Sequence, residues 1–148
     1  MYGQKKSFTL VEAILTIVIM GILAGVILPH FVKEGFLGDL TLRSTVSQIA
    51  SDIRYARQLA ITNAAQYSIK FNFGLKEYRI YKGGAQVGES KKIPAEVSCS
   101  GTNQFDFYAL GNCVLLPTNE GLLLSLNNSR YKITADPPTG AVVVEKIS

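Results

Sequence analysis

Residues 8–31 read FTLVEAILTIVIMGILAGVILPHF, and the seven residues before them, MYGQKKS, are polar and basic. As a helix these 24 residues extend about 36 Å at 1.5 Å per residue, enough to cross a hydrocarbon core of roughly 30 Å with some tilt. Within 13–28 the only polar side chain is Thr16, and Glu12 is the only acidic residue of the whole run. Lys5 and Lys6 precede it, and no comparably tight basic pair follows directly. That asymmetry places the N-terminus in the cytoplasm and the rest of the chain outside. A cleaved secretory signal is the competing explanation. It requires a small residue at the first position of Ile22-Leu23-Ala24 and an uninterrupted apolar region, and Ile22 and Glu12 supply neither.

Beyond Pro29 comes HFVKEGFLGD, where Gly35 and Gly38 each weaken a helix by about 1 kcal/mol relative to Ala and make this a hinge candidate. From Asp39 onward Leu42, Val46, Ile49, Ile53, Ala56 and Ala60 recur at steps of four and three, drawing one apolar stripe along a helix that ends near Asn63. Arg43, Ser47, Ser51, Arg54 and Gln58 occupy the opposite face, so the helix needs one partner surface. YSIKFNF (67–73) alternates apolar and polar residues and, with a turn at Gly74 and EYRIYK (77–82), predicts a hairpin with one buried face. QFDFYAL, CVLL, LLLSL, RYKITA and AVVVEKI follow, separated by good turn residues. The polar, Gly-rich GGAQVGESKK (83–92) reads as a surface loop.

The full length of 148 residues suits one compact domain plus an appendage, and 47% of the residues are hydrophobic, unevenly spread. The formal charge is +4, two of it from Lys5 and Lys6, which does not by itself point to nucleic acid. Cys99 and Cys113 have no CxxC spacing and no nearby His, so a disulfide in an oxidising compartment is the expectation; closing a loop of about 15 residues contributes roughly 3 kcal/mol. The lone His30 has no ligand cluster in sequence reach, and the tyrosines spread over helix and strands fit packing better than base stacking. No Ser/His/Asp arrangement, phosphate loop or catalytic carboxylate pair stands out, so no enzyme activity, metal or cofactor is expected.

Ser7-Phe8-Thr9-Leu10-Val11-Glu12, followed by the apolar run and Pro29, resembles the class III signal sequence of type IV pilins and type II secretion pseudopilins. SDIRYARQLAITNA, FDFYALGN and ITADPPTGAVVV are similar to segments of the GspH/FimT group of minor pilins and pseudopilins. The resemblance implies an α+β pilin fold, in which a long N-terminal helix with a transmembrane first half packs its second half on an antiparallel β-sheet head. The implied divisions are a leader (1–7), a transmembrane or filament-core half-helix (8–31), an amphipathic half-helix (32–64) and a β-rich head (65–148).

It further implies cutting by a prepilin peptidase between Ser7 and Phe8, methylation of the Phe8 amine, and delivery through an inner-membrane assembly platform into a filament of other pilin or pseudopilin subunits. The family usually has Gly where Ser7 stands. The expected function is a minor pilin or pseudopilin of a pilus or secretion pseudopilus, first in the inner membrane with its head outside, then in the filament. The alternatives are a major pilin or a DNA-binding minor pilin. DNA capture is not favoured, because DNA-binding members of the group tend to carry Arg where Ala141 follows Gly140.

A carboxylate in a membrane helix costs about 2.5–3.5 kcal/mol at the centre and less near an end. Glu12 lies four residues from Phe8, on the same helix face, where the amine freed by cleavage could pair with it within one subunit or between neighbours. The leader would mask that amine as an amide and hold Lys5 and Lys6 at the headgroups. Pro29 is expected to kink the helix, and the Gly21/Gly25 pair fits close helix packing as well as it fits ordinary membrane-helix composition.

Overall fold

The protein, seen here as a computed structural model, is described over residues 9–31 and 34–147. The chain divides into two compact units, Met1–Leu37 and Gly38–Ser148. Helix α1 (Leu10–Phe31) and the start of α2 (Glu34–Thr62) belong to the first; the rest of α2 and all the strands belong to the second. From Gly38 onward the amphipathic helix thus forms one compact unit with the strands. Helical backbone continues through Gly35 and Gly38, the hinge candidates.

Among the described residues no helix is long and apolar enough to cross a membrane. The part of α1 whose side chains are described, residues 10–25, reaches only about 24 Å. The helical backbone expected over 8–31 is present from Leu10 to Phe31, without a membrane span among those residues.

In the head, β1 (Tyr67–Asn72), β2 (Glu77–Lys82), β3 (Ala85–Lys92), β5 (Gln104–Phe107) and β6 (Cys113–Leu116) form one sheet in the order β3-β2-β1-β5-β6. A second sheet has the order β4-β7-β8-β9, from β4 (Ser98–Gly101), β7 (Leu122–Leu126), β8 (Ser129–Ala135) and β9 (Val142–Lys146). Every pairing is antiparallel. The helical stripe does what its spacing predicts: Leu42, Val46, Ile49, Ile53, Ala56 and Ala60 are all buried, in one core with Ile69, Phe71, Phe105 and Phe107 of the first sheet and Leu122, Leu124 and Ile133 of the second. Phe71 stacks on Tyr78 at 5.2 Å between centroids and meets Phe105 edge-on at 6.0 Å. Where α2 crosses the sheet, the Tyr78 hydroxyl and the Lys91 ammonium each donate to the Asp52 carboxylate at 2.6 Å. Burial, followed by the hydrogen bond to Asp52, drives the Tyr78 phenol far above its ordinary pKa.

One secondary-structure expectation fails in the head. Residues 85–92 are an edge strand, not a loop. Gly83 and Gly84, both at positive φ, make the two-residue turn whose twist suits a hairpin, and β3 then pairs with β2. Between the pairs Tyr78↔Lys91 and Ile80↔Val87, Gly88, Glu89 and Ser90 face the single Arg79, so the strand bulges outward. Its polar composition, which hid it in the sequence, is what an exposed edge tolerates.

Candidate functional site

Among its described residues the N-terminal unit has no buried hydrophobic side chain. Thr9 starts α1: the Glu12 amide donates to Thr9 Oγ1 at 3.3 Å and the Ala13 amide to the Thr9 carbonyl at 3.2 Å. This is the N-cap half of a capping box, and Thr9-x-x-Glu12, legible in the sequence, is its pattern. Glu12 therefore sits in the first turn, where the aligned peptide dipoles favour negative charge. Further along, Thr16 Oγ1 turns inward to the Ala13 carbonyl at 2.8 Å, leaving no outward polar demand.

Around this helix Leu10, Val11, Ile14, Leu15, Ile17, Val18, Ile19, Met20, Ile22 and Leu23 are all about half exposed or more, on every side. A Cβ added at Gly21 or Gly25 would meet nothing within 4 Å, so the helix surface there is open. A helix apolar all round is a buried element that has yet to find its surroundings. Lys5, Lys6, Ser7 and Phe8 lie outside the described residues, and Pro29 falls within the helical span of α1.

In the head, the three motifs singled out in the sequence come together. Arg57 of α2 donates from Nε to the Gly111 carbonyl at 3.2 Å, in the loop after β5. Gly140, at φ +68°, packs directly against that same carbonyl and against the Arg57 side chain. The turn carrying Gly140 is closed by Gly140 N–H to the Asp136 carbonyl at 2.6 Å and by Thr139 Oγ1 to Asp136 Oδ2 at 2.6 Å, and it is joined to β6 through Cys113 N–H to the Pro137 carbonyl at 2.8 Å. Arg54, one turn before, donates to the Val142 carbonyl of β9 at 3.3 Å. The motifs are a structural junction between helix and sheets.

The expected disulfide is not formed: Cys99 and Cys113 are both free thiols. They sit in different sheets, Cys99 on β4 opposite Leu124 and Cys113 on β6 opposite Phe107, each with its thiol turned to a carbonyl, of Val97 and of Asp136. Burial raises both thiols, with Asp136 adding to the rise at Cys113, which reaches about 11. At pH 8 only about one Cys113 in a thousand is thiolate. Maleimide should label Cys99 of the native, unreduced protein within minutes and Cys113 at least a hundredfold more slowly until denaturant is added. A reducible disulfide between the two, seen by mass spectrometry of the unreduced protein, would contradict this.

Residues 3–28 match the model of the prokaryotic N-terminal methylation motif. In structure, the chain is similar to the type IV minor pilin FimU of Pseudomonas aeruginosa (17% identity, TM-score 0.59, covering 74% of this chain and 92% of that one). It is likewise similar to the minor pseudopilin EpsH of the type 2 secretion system of Vibrio cholerae (8% identity, TM-score 0.56, 71% and 96%). No curated protein is significantly similar to it in sequence. The apolar helix and the helix-on-sheet head thus resolve into two known parts: the chain carries the prokaryotic N-terminal methylation motif together with the fold of minor pilins and pseudopilins.

Proposed function

We propose that the chain is a minor pilin or pseudopilin subunit, cut by a prepilin peptidase between Ser7 and Phe8, methylated on the Phe8 amine and passed by an inner-membrane assembly platform into a type IV pilus or type II secretion pseudopilus. The observation that carries this reading is the union on one chain of the methylation motif, a helix apolar on every side and the head fold. Fully burying one large aliphatic side chain is worth roughly 1.5–3 kcal/mol, so ten such residues left partly exposed on α1 call for a surrounding apolar medium. Lipid around the run 13–28 supplies it before assembly, and neighbouring N-terminal helices supply it afterwards. Head outside and leader inside follow from Lys5 and Lys6. Pro29 would bend the helix near the outer boundary, and the open surface at Gly21 and Gly25 would let helices approach closely.

The test is the mature N-terminus. Co-expressed with a prepilin peptidase, the protein should lose residues 1–7 and begin at N-methylated Phe8, read by mass spectrometry of the intact chain. A mature protein beginning elsewhere would sink the proposal.

A further inference from the structure

Resting on that reading, we infer that Thr9 is a positioning residue for leader removal: its hydroxyl stops the helix short of the Ser7–Phe8 bond and so leaves that bond open to the peptidase. Hydrolysis adds one water across the bond, the oxygen to the Ser7 carbonyl carbon and a proton to the departing Phe8 nitrogen. Inside a helix that carbonyl oxygen would already be bonded to the amide four residues on, and the turn would cover the carbon. The attack therefore needs the bond outside the helix.

The Glu12 amide decides where the helix starts. In a helix that ran on towards the leader it would donate to the Phe8 carbonyl, and the Val11 amide to the Ser7 carbonyl, the one that must be attacked. Instead the Glu12 amide donates to Thr9 Oγ1 at 3.3 Å, and α1 begins at Leu10 with Thr9 outside it. A hydroxyl and a carbonyl compete for one amide, and the hydroxyl holds it.

The leader sequence supplies no other stop. Gln4, Lys5 and Lys6 are good helix formers, no Pro or Gly lies between Gln4 and Phe8, and Ser7 is itself a capping residue. Without the Thr9 hydroxyl, a helix start two residues earlier on Ser7 would compete, and in it the Ser7 carbonyl accepts from Val11. The peptidase can use only the fraction of chains whose bond is free, so its apparent affinity falls with that fraction.

The experiment follows leader removal from the full chain in membranes holding a prepilin peptidase, by immunoblot of precursor and product over time, with the product's N-terminus read by mass spectrometry. Thr9→Val keeps the branched shape and loses the hydroxyl; it should be cut about two- to fivefold more slowly than wild type, the effect of losing one N-cap. Thr9→Asn, which caps at least as well without a hydroxyl, should be cut at the wild-type rate. Adding Leu10→Pro to Thr9→Val should restore the rate too, because a proline at the first helical position keeps the residue before it out of the helix. Equal rates for Thr9→Val and wild type overturn the positioning role and leave the subunit assignment standing. If Thr9→Val is slow and either repaired variant stays slow, the peptidase reads something other than the helix start, which overturns the role as well. A wild-type chain that is not cut before Phe8 overturns the assignment and the inference with it.

Discussion

Gly140→Ala should remove a large part of the head's stability margin, lowering it by about 3–5 kcal/mol out of the roughly 5–15 kcal/mol typical of a folded domain. Two terms add. At φ +68° a residue with a Cβ costs about 1–2 kcal/mol. The added carbon would also overlap the Gly111 carbonyl oxygen and lie 2.9 Å from Arg57 Nε and 3.1 Å from Arg57 Cδ. A flexible side chain could swing away, but the carbonyl is backbone and is itself held by Arg57. Relief therefore means parting the 136–140 turn from the β5–β6 loop, at the expense of the Arg57–Gly111 and Cys113–Pro137 hydrogen bonds. Gly74→Ala is the control: its Cβ would meet only Asn72 Oδ1, at 3.4 Å, so it should stay within about 0.5 kcal/mol of wild type. Urea titration of the full chain in detergent, followed by circular dichroism, measures both. A Gly140→Ala protein within about 1 kcal/mol of wild type would mean that the turn is not locked to the helix.

That junction shows where the sequence stops speaking. Short-range periodicity was enough for the stripe of α2, because residues three and four apart share a helix face whatever lies opposite, and for the β1–β2 hairpin, because alternation and a turn are local. Arg57, Gly111 and Gly140 are separated by 54 and 29 residues, and only the folded path of two sheets brings them together. The cysteines make the same point in reverse: fourteen positions apart, they look ready for a bridge, yet the chain leaves one sheet for the other between them. Strand β3 was missed for a different reason. An edge strand with one open side carries no apolar alternation, and the Gly83-Gly84 turn was its only local mark. Asp52 was equally silent, since its partners Tyr78 and Lys91 come from strands 26 and 39 residues away.

Glu12→Gln should leave membrane insertion and leader cleavage intact and reduce recovery in sheared filaments at least tenfold, equivalent to about 1.4 kcal/mol. The first turn of α1 gives Glu12 two distinct uses. As the third residue after the Thr9 cap its amide donates to the cap hydroxyl, and as a carboxylate in apolar surroundings it is proposed to pair with the cationic amine that cleavage would free at Phe8. Glutamine separates the two uses, because a capping box accepts Gln as readily as Glu and the side chains match in length, while the charge is gone. Thr9→Val does the opposite, removing the hydroxyl that accepts from the Glu12 amide and leaving the carboxylate; it should weaken the first turn by about 1 kcal/mol and reduce filament recovery less than the charge change does. Cross-linked filaments quantified by immunoblot, normalised to processed subunit in the membrane, give the ratio. Normal recovery of Glu12→Gln alongside poor recovery of Thr9→Val would assign the residue to the cap and leave the amine without the counter-charge that assembly is proposed to need. The reverse pattern ties polymerisation to the charge, because a neutral glutamine keeps the hydrogen bond that the Glu12 amide gives to Thr9 and lacks only the attraction that cleavage is proposed to switch on.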